Sequence, residues 1–454
     1  MPIDSFENKR VLIMGLGQFG GGLDAAMFAA ERGANVIITD TADIEKLRDS
    51  MEKLQQYPNI EYHLGGHLEK DFEQTDILIV NPAVPNENKY VLAALQKNVY
   101  VTSQISIFFD LCPAKIIGIT GSNGKSTTAS ITAHLLSSEN NRKYGNVRLS
   151  GNIGNAPLLM LLTQIKSDDL VVLELSSFQI EQLALHKQAP QISLITNLLP
   201  NHLDRYGTFE KYCQAKEHLF RLQKLDETSP AVSIFNTEND ITLGWYEKYK
   251  NDNGRKCLMF SADDINDSII SSFSLPGRIN LSNLAAARSI ARCFDVSDEN
   301  IEKSINSFKA LANRLQFAAE INGVKWYNDS KSTTPESAMA AIEAFDKPVI
   351  LIAGGYDKHL PFDELGVLIA RKVKNTFLIG QTASKIKAAV ENAGNNNSYI
   401  CNSLEQAVES AAKIASEGDI VVLSPACASY DMFENYEHRG RVFCRLVNEL
   451  TKKL

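Results

Sequence analysis

A glycine-rich loop with one lysine and adjacent hydroxyl groups is the strongest chemical signal in this 454-residue chain. Residues 118–126 read GITGSNGKS, which we interpret as a phosphate-binding loop of the GxxxxGK(S/T) type. The apolar run KIIGI leads into it, and a helix-compatible run, TTASITAHLL, follows it directly. Backbone N–H groups at such a helix N-terminus bind phosphate oxygens, the lysine adds a charge, and a hydroxyl can bind Mg²⁺. The residues expected at the phosphates are Gly121, Asn123, Gly124, Lys125, Ser126 and Thr127.

A second glycine loop lies near the start of the chain. Residues 15–20 read GLGQFG directly after an apolar run, and Asp40 ends the next apolar run about 20 residues later. Taken alone, this pattern is typical of a dinucleotide-dependent dehydrogenase or a nucleotide-binding regulator. That interpretation leaves the later phosphate loop without a role, so we favour two nucleotide sites in one chain. The dehydrogenase or regulator remains the alternative from a different class.

Acidic and basic residues follow the strands after the phosphate loop. Glu174 ends the run LVVLE, and His202, Asp204 and Lys216 follow the next apolar run, QISLITN. Ligands of open α/β sheets bind at the carboxyl ends of strands, so these side chains are expected to converge on the phosphates with Mg²⁺. The ordinary alternative for Lys216 is a solvated helix lysine.

Charged residues, together with one threonine, also gather in the last third of the chain. They lie near the ends of apolar runs and comprise Arg314, Asp329, Lys331, Thr333, Asp357 and Lys358, followed by the segment SPACASYDMF at 424–433. This segment runs from a buried strand into small and then polar residues, which suits a substrate-side loop.

Several segments occur together in a characteristic order: MGLGQFG, GITGSNGKSTT, GNIGNAP, LELSSFQIE, HLDRY, YCQAK, NDSKST, AGGYDK and SPACAS. Over nearly the whole chain they resemble the Mur ligase family, and within it the branch that adds D-glutamate to UDP-N-acetylmuramoyl-L-alanine in peptidoglycan precursor synthesis. The resemblance implies ATP-dependent amide-bond formation through an acyl phosphate. Other Mur-type ligases and folylpolyglutamate synthetases share the phosphate loop and are the alternative within this class, whereas DSKST and SPACAS separate the branches.

The resemblance also implies roles for individual residues. Lys125, His202, Lys216 and Arg314 would be catalytic, and Ser126, Glu174, His202 and Lys216 would bind Mg²⁺, with Lys216 carbamylated. Asn283, Arg314 and Asp329 would contact ATP besides the phosphate loop. Gly17, Asp40 and Thr41 would hold the UDP end of the substrate, with Asn152 and Ser176 along the sugar nucleotide. Thr333, Lys358 and Ser429 would surround the D-glutamate carboxylates.

The elements that must position these residues are those of an α/β protein. Short apolar runs alternate with helix-period segments, which predicts parallel sheets covered by helices. We expect three domains: a Rossmann-like UDP-substrate domain at 1–112, a central P-loop ATPase-type domain at 113–311, and a Rossmann-like amino-acid-binding domain at 312–454.

The composition of the chain restricts the classes of partner that it is expected to bind. The formal net charge of −8 disfavours nucleic acid, and no apolar run approaches the roughly 20 residues of a membrane span. We therefore expect a cytoplasmic protein with small-molecule substrates. Separately, we expect a monomer. The seven cysteines are scattered without a CxxC, which favours free thiols over a disulfide framework.

Overall fold

The computed structural model describes residues 5–17, 20–140, 142–153 and 157–453. Gln18 and Phe19 of the first glycine loop and residues 154–156 of the GNIGNAP segment lie outside the described residues. The chain divides into two compact units. The first unit is Met1–Ser261 with Ala286–Ser297, and the second is Ala262–Ala285 with Asp298–Leu454.

The first ten elements alternate between strands and helices. They are β1 (Arg10–Met14), α1 (Gly21–Glu31), β2 (Asn35–Asp40), α2 (Ile44–Leu54), β3 (Ile60–Leu64), α3 (Glu69–Glu73), β4 (Ile77–Val80), α4 (Lys89–Gln96), β5 (Tyr100–Thr102) and α5 (Gln104–Leu111). The strands form one parallel sheet in the order β3-β2-β1-β4-β5. This is the Rossmann order, in which ligands bind at the carboxyl edge where the strand order reverses beside β1.

The central elements build a second parallel sheet in the same unit. They are β6 (Lys115–Thr120), α6 (Lys125–Ser138), β7 (Val147–Gly151), a 3-10 helix (Met160–Gln164), β8 (Leu170–Glu174), α7 (Ser177–Leu185), β9 (Ile192–Ile195), α8 (Leu203–Tyr206), α9 (Phe209–Arg221), β10 (Ala231–Asn236), α10 (Asp240–Tyr249) and β11 (Arg255–Phe260). The order is β11-β10-β9-β6-β8-β7. Strand β6 therefore lies between β8 and β9, and the residues that follow these three strands share one edge.

The remaining elements lie in the second unit, except that α12 ends in the first. They are a 3-10 helix (Ala262–Asp264), α11 (Asp267–Ser272), α12 (Arg278–Arg292), α13 (Asp298–Ile305), β12 (Gln316–Ile321), β13 (Val324–Asn328), α14 (Pro335–Glu343), β14 (Val349–Gly354), α15 (Asp363–Lys372), β15 (Val373–Ile379), α16 (Ala383–Asn392), β16 (Ser398–Ile400), α17 (Leu404–Ile414), β17 (Ile420–Leu423) and α18 (Tyr436–Lys453). The third sheet has the order β12-β13-β17-β14-β15-β16.

The predicted α/β class with three sheets is confirmed, with one difference in the third sheet. Strand β12 pairs antiparallel with β13, whereas the other pairs of that sheet are parallel. The two-residue turn between them, Asn322-Gly323, has positive φ at both residues (49° and 75°), as a tight hairpin turn requires. The predicted domain boundaries at 112 and 311 stay predictions.

Apolar burial explains why the first unit holds two sheets. One cluster of buried side chains includes Ala25 and Phe28 on α1 as well as Leu158, Leu159 and Leu183 of the central sheet region. Burial of this shared apolar surface contributes roughly 25 cal/mol of stabilisation per Å² and holds the two sheets together as one body. Within the described residues, no helix has the length and apolarity needed to cross a bilayer. All seven cysteines are free thiols.

Candidate active site

The phosphate loop connects β6 to the N-terminus of α6. Gly121 has φ 143° and Gly124 has φ 82°, conformations that L-residues rarely adopt. A Cβ on Gly121 would lie 1.9 Å from Thr196 Oγ1, so a side chain has no room there. Gly118, the first glycine of the predicted GxxxxGK(S/T) pattern, lies inside β6 and stands six residues before Gly124, where the pattern requires five. That assignment is wrong, because the loop begins at Gly121 and is shorter than the pattern requires.

Residues that follow β9 hold the loop in place. Asn197 accepts the Ser122 N–H on its carbonyl at 2.9 Å and the Asn123 N–H on its side-chain oxygen at 2.9 Å. Thr196 Oγ1 donates to the Asn123 carbonyl at 2.6 Å. Our sequence analysis missed both residues. The signal was available, since they directly follow the strand that pairs with β6 and so must lie beside the loop.

Lys125, the first residue of α6, lies over the loop. Its Nζ donates to the carbonyls of Gly121 at 2.9 Å and Ser122 at 2.7 Å. These neutral acceptors hold the ammonium at the mouth of the loop, next to the helix N-terminus. Phosphate oxygens are stronger acceptors for a cation than carbonyls, so a triphosphate can draw Lys125 away from them.

A line of hydrogen bonds runs from the phosphate loop across β8 to β7. Ser126 Oγ donates to Glu174 Oε2 at 2.5 Å, and Asn152 Nδ2 donates to Glu174 Oε1 at 3.0 Å. Glu174 is buried at the end of β8, where it pairs with Ile119 of β6. Both carboxylate oxygens are therefore oriented, one towards the loop hydroxyl and one towards Asn152.

Lys216 is buried on α9, so the solvated-lysine alternative is wrong. Its side chain is 1% exposed, and its Nζ donates to Thr120 Oγ1 at 3.1 Å and lies 5.0 Å from the centre of the Tyr212 ring. Burial holds the pKa of Lys216 well below its usual value; the neighbouring Lys125 charge lowers it further, and Glu174 opposes the shift. The amine is thus pushed towards its neutral, nucleophilic form.

His202 lies at the start of α8 with a left-handed backbone, φ 53°. Its ring packs against Phe178, with 5.0 Å between ring centres. Partial burial lowers the pKa of His202, the Lys216 charge lowers it further, and Asp204, two residues later, acts in the opposite direction. A neutral imidazole is the form that can bind a metal ion.

The oxygen atoms around Glu174 fit Mg²⁺ only in part. Across the described residues, no three His, Cys, Asp or Glu side chains converge on one metal position. The predicted set of Mg²⁺ ligands therefore depends on Ser126 Oγ and Glu174 for oxygen donors. It also depends on a chemical change at Lys216, because an ammonium group cannot ligate a cation. Conversion of Lys216 to a carbamate would supply the missing oxygens.

The first glycine loop is tied to Asp40 at the end of β2. Asp40 Oδ2 accepts the Gly17 N–H at 3.2 Å, and Oδ1 accepts the Ala42 N–H at 2.8 Å. Asn81, after β4, was missed by the sequence analysis. Its Nδ2 donates to the Gly15 carbonyl at 3.3 Å. Thr41 is exposed beside this edge.

Ser176 lies at the edge of the central sheet, directly after Glu174 and Leu175. It caps α7 in a reciprocal arrangement with Gln179, in which each side chain bonds to the other residue's backbone N–H. Ser176 is thus fixed at the start of a helix, close in sequence to the metal-binding candidate Glu174.

The second unit gathers polar residues around Asp329, which follows β13. Asp329 accepts hydrogen bonds from Ser332 Oγ at 2.5 Å, Ser424 Oγ at 2.8 Å and the Leu315 N–H at 3.1 Å. Burial raises the pKa of Asp329 to about 6, while these bonds and the nearby Arg314 charge oppose the shift. Asn283 lies on α12, where its side-chain amide donates to Asn280 Oδ1.

A buried arginine that the sequence analysis did not single out joins two loops of the third sheet. Arg439 is 1% exposed and donates to Ser330 Oγ at 3.0 Å and to the Cys427 carbonyl at 3.1 Å. It therefore fixes the NDSKST segment against the SPACAS segment. The EHRG sequence gave no indication of this role, because most arginines are exposed.

The three residues expected around D-glutamate follow neighbouring strands. Thr333 comes after β13, Ser429 after β17 and Lys358 after β14, and these strands lie side by side in the sheet. The Tyr356 N–H donates to the Ala428 carbonyl at 2.9 Å, which joins the last two of these loops. Lys358 is exposed, and Ser429 is buried.

Fold and site together define an α/β nucleotide-binding protein in which a phosphate loop faces a buried acid and a buried lysine. Comparison with known families gives three matches in order: "Mur ligase MurD-like, N-terminal domain" at residues 9–103, "Mur ligase middle domain" at 119–291, and "Mur ligase, glutamate ligase domain" at 313–427. The chain belongs to the Mur ligase family.

Individual relatives agree with this assignment. The chain is 36% identical to UDP-N-acetylmuramoylalanine--D-glutamate ligase of Roseiflexus sp. (98% of this chain, 99% of the relative) and 37% identical to the protein of that name from Acetivibrio thermocellus (98% and 97%). Among solved structures, the UDP-N-acetylmuramate-alanine ligase MurC of Thermotoga maritima matches with TM-score 0.58 at 17% identity (98% and 100%). The MurF ligase of Thermotoga maritima in complex with ADP matches with TM-score 0.58 at 16% identity (99% and 97%). These two structural matches support the fold.

Proposed function

We propose that this protein joins D-glutamate to UDP-N-acetylmuramoyl-L-alanine, with hydrolysis of ATP to ADP and phosphate, in peptidoglycan precursor synthesis. The observation that carries the proposal is the near full-length similarity to ligases named for that reaction, at 36–37% identity. The phosphate loop and its buried partners supply the chemistry that such a ligase needs. We place the enzyme in the cytoplasm, which supplies ATP. We further propose that it is a monomer.

The first step would activate the substrate carboxylate. A carboxylate oxygen attacks the γ-phosphorus, the bond to the ADP oxygen breaks, and an acyl phosphate and ADP result. Lys125 would transfer its hydrogen bonds from the loop carbonyls to phosphate oxygens, and the N-terminus of α6 would add its partial positive charge. Arg314 is proposed to contribute a second positive charge, and Asn283 and Asp329 to contact adenosine; these three roles rest on the family resemblance.

Bound Mg²⁺ would neutralise charge on the phosphate oxygens. Ser126, Glu174 and His202 are proposed to hold it, with Lys216 after carbamylation. In that modification the neutral Nζ attacks CO₂, an N–C bond forms, and one proton leaves to solvent. The low pKa of Lys216 favours the reactive amine, and Asn152 holds Glu174 in place.

The second step would form the amide bond. The neutral D-glutamate amine attacks the acyl carbon, phosphate leaves with one former carboxylate oxygen, and the nitrogen loses one proton and keeps the other as the amide N–H. Thr333, Lys358 and Ser429 are proposed to bind the D-glutamate carboxylates. Gly17, Asp40 and Thr41 are proposed to hold the UDP end of the other substrate, and Asn152 and Ser176 its sugar-nucleotide portion.

The test offers a panel of amino acids with UDP-N-acetylmuramoyl-L-alanine and ATP, and measures phosphate release and product mass. We expect phosphate release and a product heavier by one glutamyl residue with D-glutamate, and far less with L-glutamate or L-alanine. Product with another amino acid alone, or turnover only with a folate substrate and L-glutamate, would place the chain in another branch. Oxidation of NAD(P)H without phosphate release would favour the dehydrogenase alternative.

A further inference from the structure

A buried carboxylate joins the two sheets of the first unit. Asp24 lies on α1, four residues after the last glycine of the first glycine loop, and is 3% exposed. Its Oδ2 accepts the N–H groups of Leu158 at 3.0 Å and Leu159 at 2.7 Å, and its Oδ1 accepts the Met160 N–H at 3.1 Å. Helix α1 belongs to the Rossmann-like sheet, whereas the three amides belong to the central sheet region.

These three amides open the 3-10 helix Met160–Gln164, where N–H groups have no partner within the helix. Leu158 and Leu159 are buried, so water cannot replace a lost acceptor. A charged acceptor forms stronger bonds than a neutral one, and three N–H groups share this carboxylate. Gln104, the first residue of α5, also donates to Asp24 Oδ2 at 2.5 Å. Asp24 therefore fixes three elements at one point.

The other end of the same chain segment reaches the site. Asn152 is bonded to Glu174 through its side chain at 3.0 Å and through its backbone N–H, which donates to the Glu174 carbonyl at 2.8 Å. Met160 stands eight residues after Asn152 in the sequence. Asn152 is held at the acid beside the phosphate loop, and Leu158–Met160 are held at α1 behind the first glycine loop.

Helix α1 cannot move independently of the first glycine loop. A Cβ at Gly22 would lie 2.3 Å from the Gly15 carbonyl oxygen, which shows how closely the helix approaches the loop. Leu158 and Leu159 belong to the same buried cluster as Leu173 and Leu175, which flank Glu174, the partner of Asn152. A shift of α1 relative to this part of the central sheet region would therefore change the separation between the first glycine loop and Asn152.

We propose that Asp24 is a positioning residue for the UDP-sugar substrate. It sets the separation between the first glycine loop and Asn152, the two places where the proposed function puts that substrate, and the inference rests on the proposed function. Asp24 acts through the backbone of Leu158–Met160 and touches no reacting atom. Loss of its charge should weaken binding of this substrate more than binding of ATP or D-glutamate.

The test compares Asp24→Asn, Asp24→Ala and Asp24→Glu in the full chain by steady-state kinetics. We expect the Asn and Ala variants to raise KM for UDP-N-acetylmuramoyl-L-alanine by at least ~10-fold, the equivalent of about 1.4 kcal/mol. KM for ATP and D-glutamate should change by less than about 2-fold, and kcat by less than about 3-fold. Asp24→Glu keeps the charge and should lie closer to the wild type.

The matched control is Asp169→Asn. Asp169 is also a buried carboxylate, 1% exposed, and accepts the N–H groups of Asn146 at 2.6 Å and Lys166 at 3.1 Å, all within the central sheet region. Its loss should destabilise the protein without a selective rise in KM for the UDP-sugar substrate. An equal selective rise in this control would overturn the proposal, because any buried carboxylate would then have the same effect.

Hydrogen–deuterium exchange gives a readout that needs no substrate. Peptides covering Leu158–Met160 should exchange faster in Asp24→Asn than in the wild type, with β8 unchanged. Unchanged exchange, unchanged KM for the UDP-sugar, or a parallel rise in all three KM values would overturn the positioning role. Absence of turnover in the wild type would instead refute the proposed function itself.

Discussion

Replacement of Lys125 by alanine tests the proposed phosphate site. Lys125 Nζ donates to two loop carbonyls, at 2.9 and 2.7 Å, and its charge lowers the pKa of the buried Lys216. Removal of one preorganised electrostatic stabiliser costs about 10²–10³-fold in kcat, which corresponds to about 2.7–4 kcal/mol in the activation barrier. We therefore expect Lys125→Ala to lower kcat by at least ~10²-fold.

The same substitution should affect folding little. Each hydrogen bond to a loop carbonyl contributes on the order of 1 kcal/mol because Lys125 is partly exposed, and the loss of repulsion towards Lys216 offsets part of that. The melting temperature should therefore stay within a few degrees of the wild type, about 4 °C at most. The substitution is thus expected to lower activity strongly while it changes stability little.

The assay is phosphate release at saturating substrates, together with thermal unfolding of each variant. Lys115→Ala is the matched control, because Lys115 is an exposed lysine at the first residue of β6, the strand whose other end leads into the phosphate loop. Its kcat should stay within about 2-fold of the wild type. A Lys125→Ala enzyme within about 5-fold of wild-type kcat, or an equal loss in Lys115→Ala, would refute the assignment.

Three further predictions concern titratable groups. Lys216→Ala should lose activity that bicarbonate cannot restore and a small carboxylic acid partly restores; full activity, or the same loss in the exposed Lys211→Ala, would exclude the carbamate. The hydrogen bond to Asp71 raises the pKa of His63 above 6.5, so this pair stabilises the fold below that pH and loses its effect as pH rises through the folded pKa. In urea unfolding, the stability difference between wild type and His63→Gln should shrink from about pH 6 to about pH 8, and a constant difference would contradict this. Burial raises the pKa of Asp329 from 3.8 to about 6, so the stability of the fold should decrease as pH rises from the lower value to the higher one. This pH dependence should be absent in Asp329→Asn. A variant with the same pH profile as the wild type would count against the shift.

The fold was largely predictable because buried parallel strands have continuous apolar sequences. Runs such as VLIM, KIIGI and LVVLE correspond to β1, β6 and β8. Shorter or more polar strands gave weaker signals: β7, VRLSG, and β16, SYI, do not stand out as apolar runs. The β12–β13 hairpin was missed although its Asn322-Gly323 turn is a recognised hairpin signal.

The site residues that directly follow a strand were predictable. Those whose burial and partners depend on the packing of helices against a sheet were less so. Glu174 lies at its expected strand end, beside the phosphate loop. The buried state of Lys216 depends on how α9 packs over the central sheet, which residue spacing along one helix does not reveal. Asp24 and Arg439 likewise each have a hydrogen-bond partner more than 100 residues away, Leu158 and Ser330 respectively. Such long-range hydrogen bonds leave no local pattern in the sequence.

Oxygen transfer tests the central claim most directly. The substrate UDP-N-acetylmuramoyl-L-alanine is prepared with ¹⁸O in its terminal carboxylate and incubated with enzyme, ATP and D-glutamate, and the released phosphate is analysed by mass spectrometry. An acyl phosphate predicts one ¹⁸O atom in each phosphate formed with product. Phosphate that carries no ¹⁸O while the amide product accumulates would contradict the account.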